Sequence, residues 1–312
     1  MISRNNIFLI LIIIAISFSG CEKTEKIDDF PLRPSKLVVN CYFSEDGNWE
    51  FQVSKSLSVL DNAELKLINN ATVKLFNETG LLATVTEQDE NSWYTIADNL
   101  PQIGNSYSIE VTSPDFNATL KATDYVPVPV PISSTELIIL DSAFYEYQDY
   151  LGNMVSEGEI TANLNITIDD PVEVNNYYQI KVYKIDTFDY DEYNLSVDRR
   201  EIYITSNNVA IEDNSSDYGN SSLFFTDNVF DGQLYEITLE FNDWTSTINN
   251  TYYVELMSMS KAGYLYKKTV RDFGNSQGDM FAEPVQVYSN IENGFGIFAG
   301  ISSSKDSVLF IH

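Results

Sequence analysis

Histidine is nearly missing from this chain: its single copy, His312, is the last of 312 residues. A Ser-His-Asp or Cys-His catalytic arrangement would hang on a fraying terminus, which removes that class of enzyme. Zinc centres built from His and Cys are excluded with it, because cysteine occurs only at Cys21 and Cys41. Basic charge is scarce as well: 18 Lys and Arg stand against 46 Asp and Glu, a formal net charge of −28. The longest basic runs are the pairs Arg199-Arg200 and Lys267-Lys268. Neither neutralises a phosphate backbone, so nucleic acid is excluded as a partner. The longest apolar run, Ile7 to Phe18, stops well short of the roughly 20 residues that a bilayer-spanning helix needs.

What is abundant is aromatic: 20 Tyr and 18 Phe. Such side chains fit a pleated, half-buried surface, and the expected fold class is mainly β. The length and the 44% hydrophobic content allow two cores, hence two domains after a leader.

The leader is residues 1–20. Arg4 precedes the apolar run Ile7 to Phe18, the pattern of a signal-peptide core. The run ends in Phe18-Ser19-Gly20-Cys21, small residues before a cysteine, which resembles the lipobox of bacterial lipoproteins. Phe18 stands where that pattern usually has Leu. The reading is cleavage before Cys21 and lipidation of its sulfur, with each buried acyl methylene contributing about 0.8 kcal/mol to anchoring. The alternative is a plain secretory leader with Cys21 paired to Cys41. Cys41 lies in the apolar run Leu37 to Phe43 and reads as a small buried hydrophobe rather than a nucleophile. Residues 21–35 carry the lipidated cysteine and a charged tether, Glu22-Lys23-Thr24-Glu25-Lys26-Ile27-Asp28-Asp29. This segment resembles the acidic patch that marks surface lipoproteins in some bacteria with two membranes.

Residues 36–125 alternate apolar and polar at Trp49/Phe51/Val53, Ala71/Val73/Leu75 and Tyr107/Ile109/Val111. Turn signals recur at Asp46-Gly47-Asn48, Glu78-Thr79-Gly80 and Gly104-Asn105, the spacing of an immunoglobulin-like β-sandwich. Leu100 to Tyr107 resembles the tyrosine corner of that fold. The prolines of Val126-Pro127-Val128-Pro129-Val130-Pro131 hold residues 126–132 extended and mark a linker. Residues 133–312 form the second β domain. Its clearest strand is Ile160/Ala162/Leu164/Ile166/Ile168; others run through Glu136 to Tyr145, Tyr178/Ile180/Val182, Tyr235/Ile237/Leu239/Phe241 and Tyr252 to Met257.

One amphipathic helix is predicted near 261–273. Ala262, Leu265, Tyr266, Thr269, Val270 and Phe273 form its packing stripe, with Ser260 capping the start and Gly274 the end. The polar stretch Asp186 to Asn228, with a strand-like piece at Glu201 to Thr205, reads as a long surface excursion and the first place to seek a binding surface. Within it, Asp186-Thr187-Phe188-Asp189-Tyr190-Asp191-Glu192 clusters oxygen ligands for calcium. It lacks the glycine and register of an EF-hand loop, so a solvated acidic loop is the better reading.

Two further stretches carry a family signature: Pro34 to Asn40 with Val53-Ser54-Lys55-Ser56, and the terminal Pro284-Val285-Gln286-Val287-Tyr288-Ser289-Asn290-Ile291-Glu292-Asn293-Gly294-Phe295-Gly296-Ile297-Phe298. Together with the lipobox they make the chain resemble the bacterial envelope lipoprotein family known as domain of unknown function 4249. The resemblance implies an envelope lipoprotein accompanying outer-membrane uptake receptors, and it transfers no site residues. In the residues themselves, Asn293-Gly294 and Gly296 read as turn positions that let Val285 to Tyr288 meet Ile297 to Ile301 as closing strands.

No catalytic, cofactor or metal residues are assigned, and the only assigned site is the lipidation at Cys21. The expected function is that of a surface-facing outer-membrane lipoprotein. It would act without catalysis as a binding or accessory component, its partners a membrane, a receptor protein, and a glycan or peptide ligand. A structural or adhesive envelope role is the alternative. A carboxylate-based glycan-active enzyme is the remote one, because abundance makes any one acid pair uninformative.

Overall fold

A computed structural model of the chain describes residues 34–57, 64–148, 152, 154–172, 174–189, 195–212, 220–245, 249–276, 283 and 285–311. The leader, Cys21, most of the tether and His312 lie outside the described residues. Among those that are described, no helix is long and apolar enough to cross a membrane.

The protein is mainly β, and the strands of the described residues lie in three sheets. The strands are β1 (Leu37–Phe43), β2 (Trp49–Lys55), β3 (Thr72–Asn77), β4 (Gly80–Val85), β5 (Tyr94–Ile96), β6 (Ser106–Ser113) and β7 (Phe116–Tyr125). They continue as β8 (Ile132–Gln148), β9 (Met154–Asp169), β10 (Tyr177–Asp189), β11 (Leu195–Ile202) and β12 (Leu223–Thr226). Last come β13 (Leu234–Thr245), β14 (Asn249–Met259), helix α1 (Lys261–Ser276) and β15 (Phe295–Ile311). The large sheet has the order β11-β10-β14-β15-β1-β2-β5, with β12 also pairing β10. The smaller sheets are β4-β3-β6-β7 and β13-β9-β8.

Strict alternation explains how these layers stack. In β1, Leu37, Val39, Cys41 and Phe43 enter one core together with Trp49, Phe51 and Val53 of β2 and the inward residues of β3, β6 and β7. In β10 and β14, Tyr178, Ile180, Val182, Tyr252, Val254 and Leu256 enter another core with the isoleucines of β9 and with Ile237, Leu239 and Phe241 of β13. Along β15, Phe298 belongs to the first core and Phe310 to the second. Both positions have the same parity, so the two small sheets cover the same face of the large one. Each core residue of this kind contributes about 1.5–3 kcal/mol of transfer free energy.

Two β-sandwich-like cores lie on either side of residues 126–132, and they share the large sheet. The proline segment crosses from one to the other, with Val126 in the first and Val130 in the second. Yet Ser35–His312 is one compact unit. The reason is β15, which runs parallel to β1 (Val38↔Phe295 to Phe43↔Gly300) and antiparallel to β14 (Met259↔Ile301 to Asn249↔Ile311). Residues 36–125 therefore complete their sandwich only with a strand from the far end of the chain. The β1–β15 contact is close: at Gly296 (φ +108°) an added Cβ would lie 2.0 Å from the Val39 carbonyl oxygen.

The corner predicted at Leu100 to Tyr107 forms: the Gln102 N–H donates to the buried Tyr107 hydroxyl at 2.9 Å. The predicted closing hairpin does not. Val285 to Tyr288 is not a strand, and the Asn290 side chain stands in for one, donating to the Phe298 carbonyl at 2.7 Å and accepting from its N–H at 3.1 Å. Asn293 does take the left-handed conformation (φ 64°). The excursion from Asp186 to Asn228 is also revised. Asp186 to Asp189 finish β10 and pair with β11, and Ile202, Ile204, Ala210, Leu223 and Phe225 are core residues. A polar composition concealed apolar positions that strand pairing turns inward.

Helix α1 lies on the other face of the large sheet. Ser260 caps it as predicted, its Oγ accepting from the Gly263 N–H at 3.2 Å. Gly274 does not end it, since the helix runs to Ser276. The packing stripe is rotated too: Gly263 and Tyr264 are its buried residues, while Val270 and Phe273 are each 41% exposed. Gly263 sets this angle by letting the helix settle on Ala299, where an added Cβ would stand 3.1 Å from the alanine Cβ. Tyr264 then enters a cluster with Phe224, Met257 and Met259.

Candidate functional site

Where α1 crosses the large sheet it leaves a cleft of about 420 Å³. Three elements build it, each by its periodicity. Tyr42 is the outward residue between Cys41 and Phe43 of β1, and Gln179 is the outward residue between Tyr178 and Ile180 of β10. From α1 come Tyr266 with Val270 and Lys267 with Arg271, two pairs one turn apart on a single helical face. Ser222 and Phe224, at and beside β12, close the remaining side with Asn220.

The polar groups run in a chain. Lys267 Nζ donates to Gln179 Oε1 at 3.0 Å, and Gln179 Nε2 donates to Ser222 Oγ at 2.8 Å. The Lys267 ammonium also sits 5.2 Å from the centre of the Tyr42 ring, and the Arg271 guanidinium 4.9 Å from that of Phe224. Burial pushes the Lys267 ammonium down to about 8, aided by the like charge of Lys181 and opposed by Glu255. Burial raises the Tyr42 hydroxyl well above the tyrosine range, so it stays protonated. Tyr42 Oη and Asn220 Nδ2 are buried and have no hydrogen-bond partner among the described residues. The arrangement offers cations and donors around a mostly aromatic concavity, which suits binding.

The sequence-predicted residues lie elsewhere. Cys41 is buried in β1, and desolvation holds its thiol far above the ordinary cysteine value. Asp186 to Asp189 are the end of a paired strand rather than a ligand loop, and 190–192 fall outside the described residues. Among the described residues, the acids whose geometry could hold a metal are instead Asp170, Asp227 and Asp231, with ligand atoms within 4.8 Å of one another. Asp170 accepts from the Tyr178 hydroxyl and the Gly232 N–H, and Asp227 accepts from the Asn176 N–H at 2.7 Å. Those bonds knit the β9–β10 and β12–β13 connections together. Of the basic pairs, Arg200 is drawn into an ion pair with Asp243, and Lys267 lines the cleft. The signal that would have found the cleft is Lys267 and Arg271 at helical spacing in a chain so poor in cations.

No curated protein matches this chain. The model of a family described as Domain of unknown function (DUF4249) matches residues 23–307, nearly its whole length, and the chain belongs to that family.

Proposed function

We propose that this protein is an outer-membrane lipoprotein, anchored through Cys21 and facing the cell surface, that acts as a non-enzymatic binding or accessory component of an uptake receptor. The observation that carries the reading is the cleft beneath α1: a concave, aromatic-walled site with cations and with donors that have no partner among the described residues, in a chain whose single histidine is its last residue. The leader and Phe18-Ser19-Gly20-Cys21 support the anchor.

The test is a pull-down of the tagged chain from membranes in mild detergent, with Cys21→Ser run beside it. Recovery of an outer-membrane receptor with the parent chain, and loss of membrane fractionation in the variant, is the expected result. A chain that stays membrane-bound as Cys21→Ser removes the anchor, and one that recovers no outer-membrane protein removes the accessory role.

Adhesion is the second reading. It is favoured by a stacked pair on the outer face of the three-stranded sheet, Tyr145 and Trp244, with ring centroids 6.5 Å apart and exposures of 61% and 52%. Growth of a deletion strain on single polymeric nutrients separates the two, because only an uptake role gives a nutrient-specific defect.

A further inference from the structure

We infer that the cleft takes a small organic acid, its carboxylate seated on Lys267 and Arg271 and its apolar body against Tyr42, Tyr266 and Phe224. This deepens the proposed function and rests on the cleft being a binding site.

The argument begins with charge. Lys267 is largely withdrawn from water, and among the described residues its bonded partner is the neutral Gln179 oxygen rather than a carboxylate. An ammonium in that position costs free energy that an incoming anion recovers, because the pair then replaces lost hydration. Arg271, one turn further on the same face, adds a planar donor suited to a carboxylate. The other cations nearby already have carboxylate partners: Lys268 is paired with Glu212, Lys181 with Glu201, Arg199 with Glu255, and Arg271 itself with the adjacent Asp272 at 3.3 Å. Lys267, held by a neutral oxygen, therefore marks the cleft out within a chain of net charge −28.

Shape and polarity narrow the ligand further. Three aromatic rings form the walls, which disfavours a bare inorganic anion, whose faces would stay unsatisfied against them. The volume of about 420 Å³ lies within the range of sites for small molecules, roughly 300–1,000 Å³. Tyr42 Oη and Asn220 Nδ2, buried without partners among the described residues, supply further donors for polar atoms of the same ligand. A neutral sugar would leave the lysine charge uncompensated.

The experiment is calorimetric titration of the full chain in mild detergent. The probes are 3-phenylpropionate and N-acetyl-L-phenylalanine, their neutral amides, and inorganic phosphate. Each acid is expected to bind about tenfold or more tightly than its amide, the size of one charge-assisted hydrogen bond. Lys267→Met should abolish that preference, whereas Lys268→Met, one residue along the helix and outside the cleft lining, should keep it. Equal binding of acid and amide overturns the inference, as does phosphate binding as tightly as the acids, or no heat from either acid at millimolar concentration. The acid and amide comparison needs no variant, so a Lys267→Met chain that fails to fold leaves the test intact. An intact receptor pull-down beside a failed titration removes the ligand class and leaves the proposed function in place.

Discussion

Lys184 Nζ lies 2.8 Å from Asp243 Oδ2, and neither side chain reaches water. The other carboxylate oxygen takes Arg200 Nη2 at 2.6 Å, and the Tyr252 hydroxyl donates to Oδ2 at 2.8 Å. One carboxylate on β13 thereby holds β10, β11 and β14 of the large sheet against the three-stranded sheet. Removing a shared buried counter-ion costs about 3–5 kcal/mol, the loss expected for Asp243→Ala in urea denaturation. Lys184→Met should cost less than half of that, since Arg200 and Tyr252 still serve the acid. Equal losses would mean that the carboxylate is not the hub.

Backbone approach between β1 and β15 sets a second expectation. Gly296→Ala forces a Cβ against the Val39 carbonyl at a positive φ, and should lower stability by more than about 3 kcal/mol. Gly274 has open space around its missing Cβ and sits within the last turns of α1. Gly274→Ala should therefore raise stability by about 0.5–1 kcal/mol. Thermal unfolding of the two variants reads both signs.

Acidity acts through Asp124, which joins the end of β7 to the Ser260 cap and to the Gly300 N–H on β15. Burial pushes its carboxyl up to about 6, with the bonds from Ser260, Tyr125 and Gly300 opposing. Between the unfolded value, about 4, and the folded one, the native state holds a proton that the unfolded chain has released. Stability thus falls as pH rises through that window, by about 3 kcal/mol over two pH units. Asp124→Asn keeps an acceptor oxygen and cannot titrate. Denaturation at pH 4, 5, 6 and 7 should show the parent losing stability relative to the variant; parallel curves would remove the assignment.

Thiol counting probes both cysteines. The buried, high-pKa Cys41 should resist a disulfide reagent at pH 8 in the native protein and react fully in denaturant. If lipid occupies the Cys21 sulfur, the denatured chain yields a single thiol. Two thiols would remove the anchor, and rapid native labelling would contradict the burial of Cys41.

Strand positions were the most legible part of this protein. The period-two runs at Trp49/Phe51/Val53 and Ile160 to Ile168 have inward residues that are all buried, because a strand's faces are written in its own alternation. The Ser260 cap and the Tyr107 corner were legible for a similar reason, as each is closed by a hydrogen bond spanning a few residues. The rotation of α1 was not. The helix stripe offered two plausible faces, and the choice fell to Gly263 against Ala299, a contact that local periodicity does not contain.

Residue order, then, determined the class of fold, the approximate strand positions, the helix that follows β14 with its first cap, and the near absence of histidine. Tertiary structure alone decided that β15 would lie beside β1 and merge two sandwiches on one sheet, that an Asn- and Asp-rich excursion would supply core residues, and that Tyr42, Gln179 and Lys267 would line one cleft. The physical reason is distance along the chain. Hydrogen bonds between strands and the burial of facing side chains reward contacts between residues hundreds of positions apart, and those rewards leave no trace in any short window of sequence.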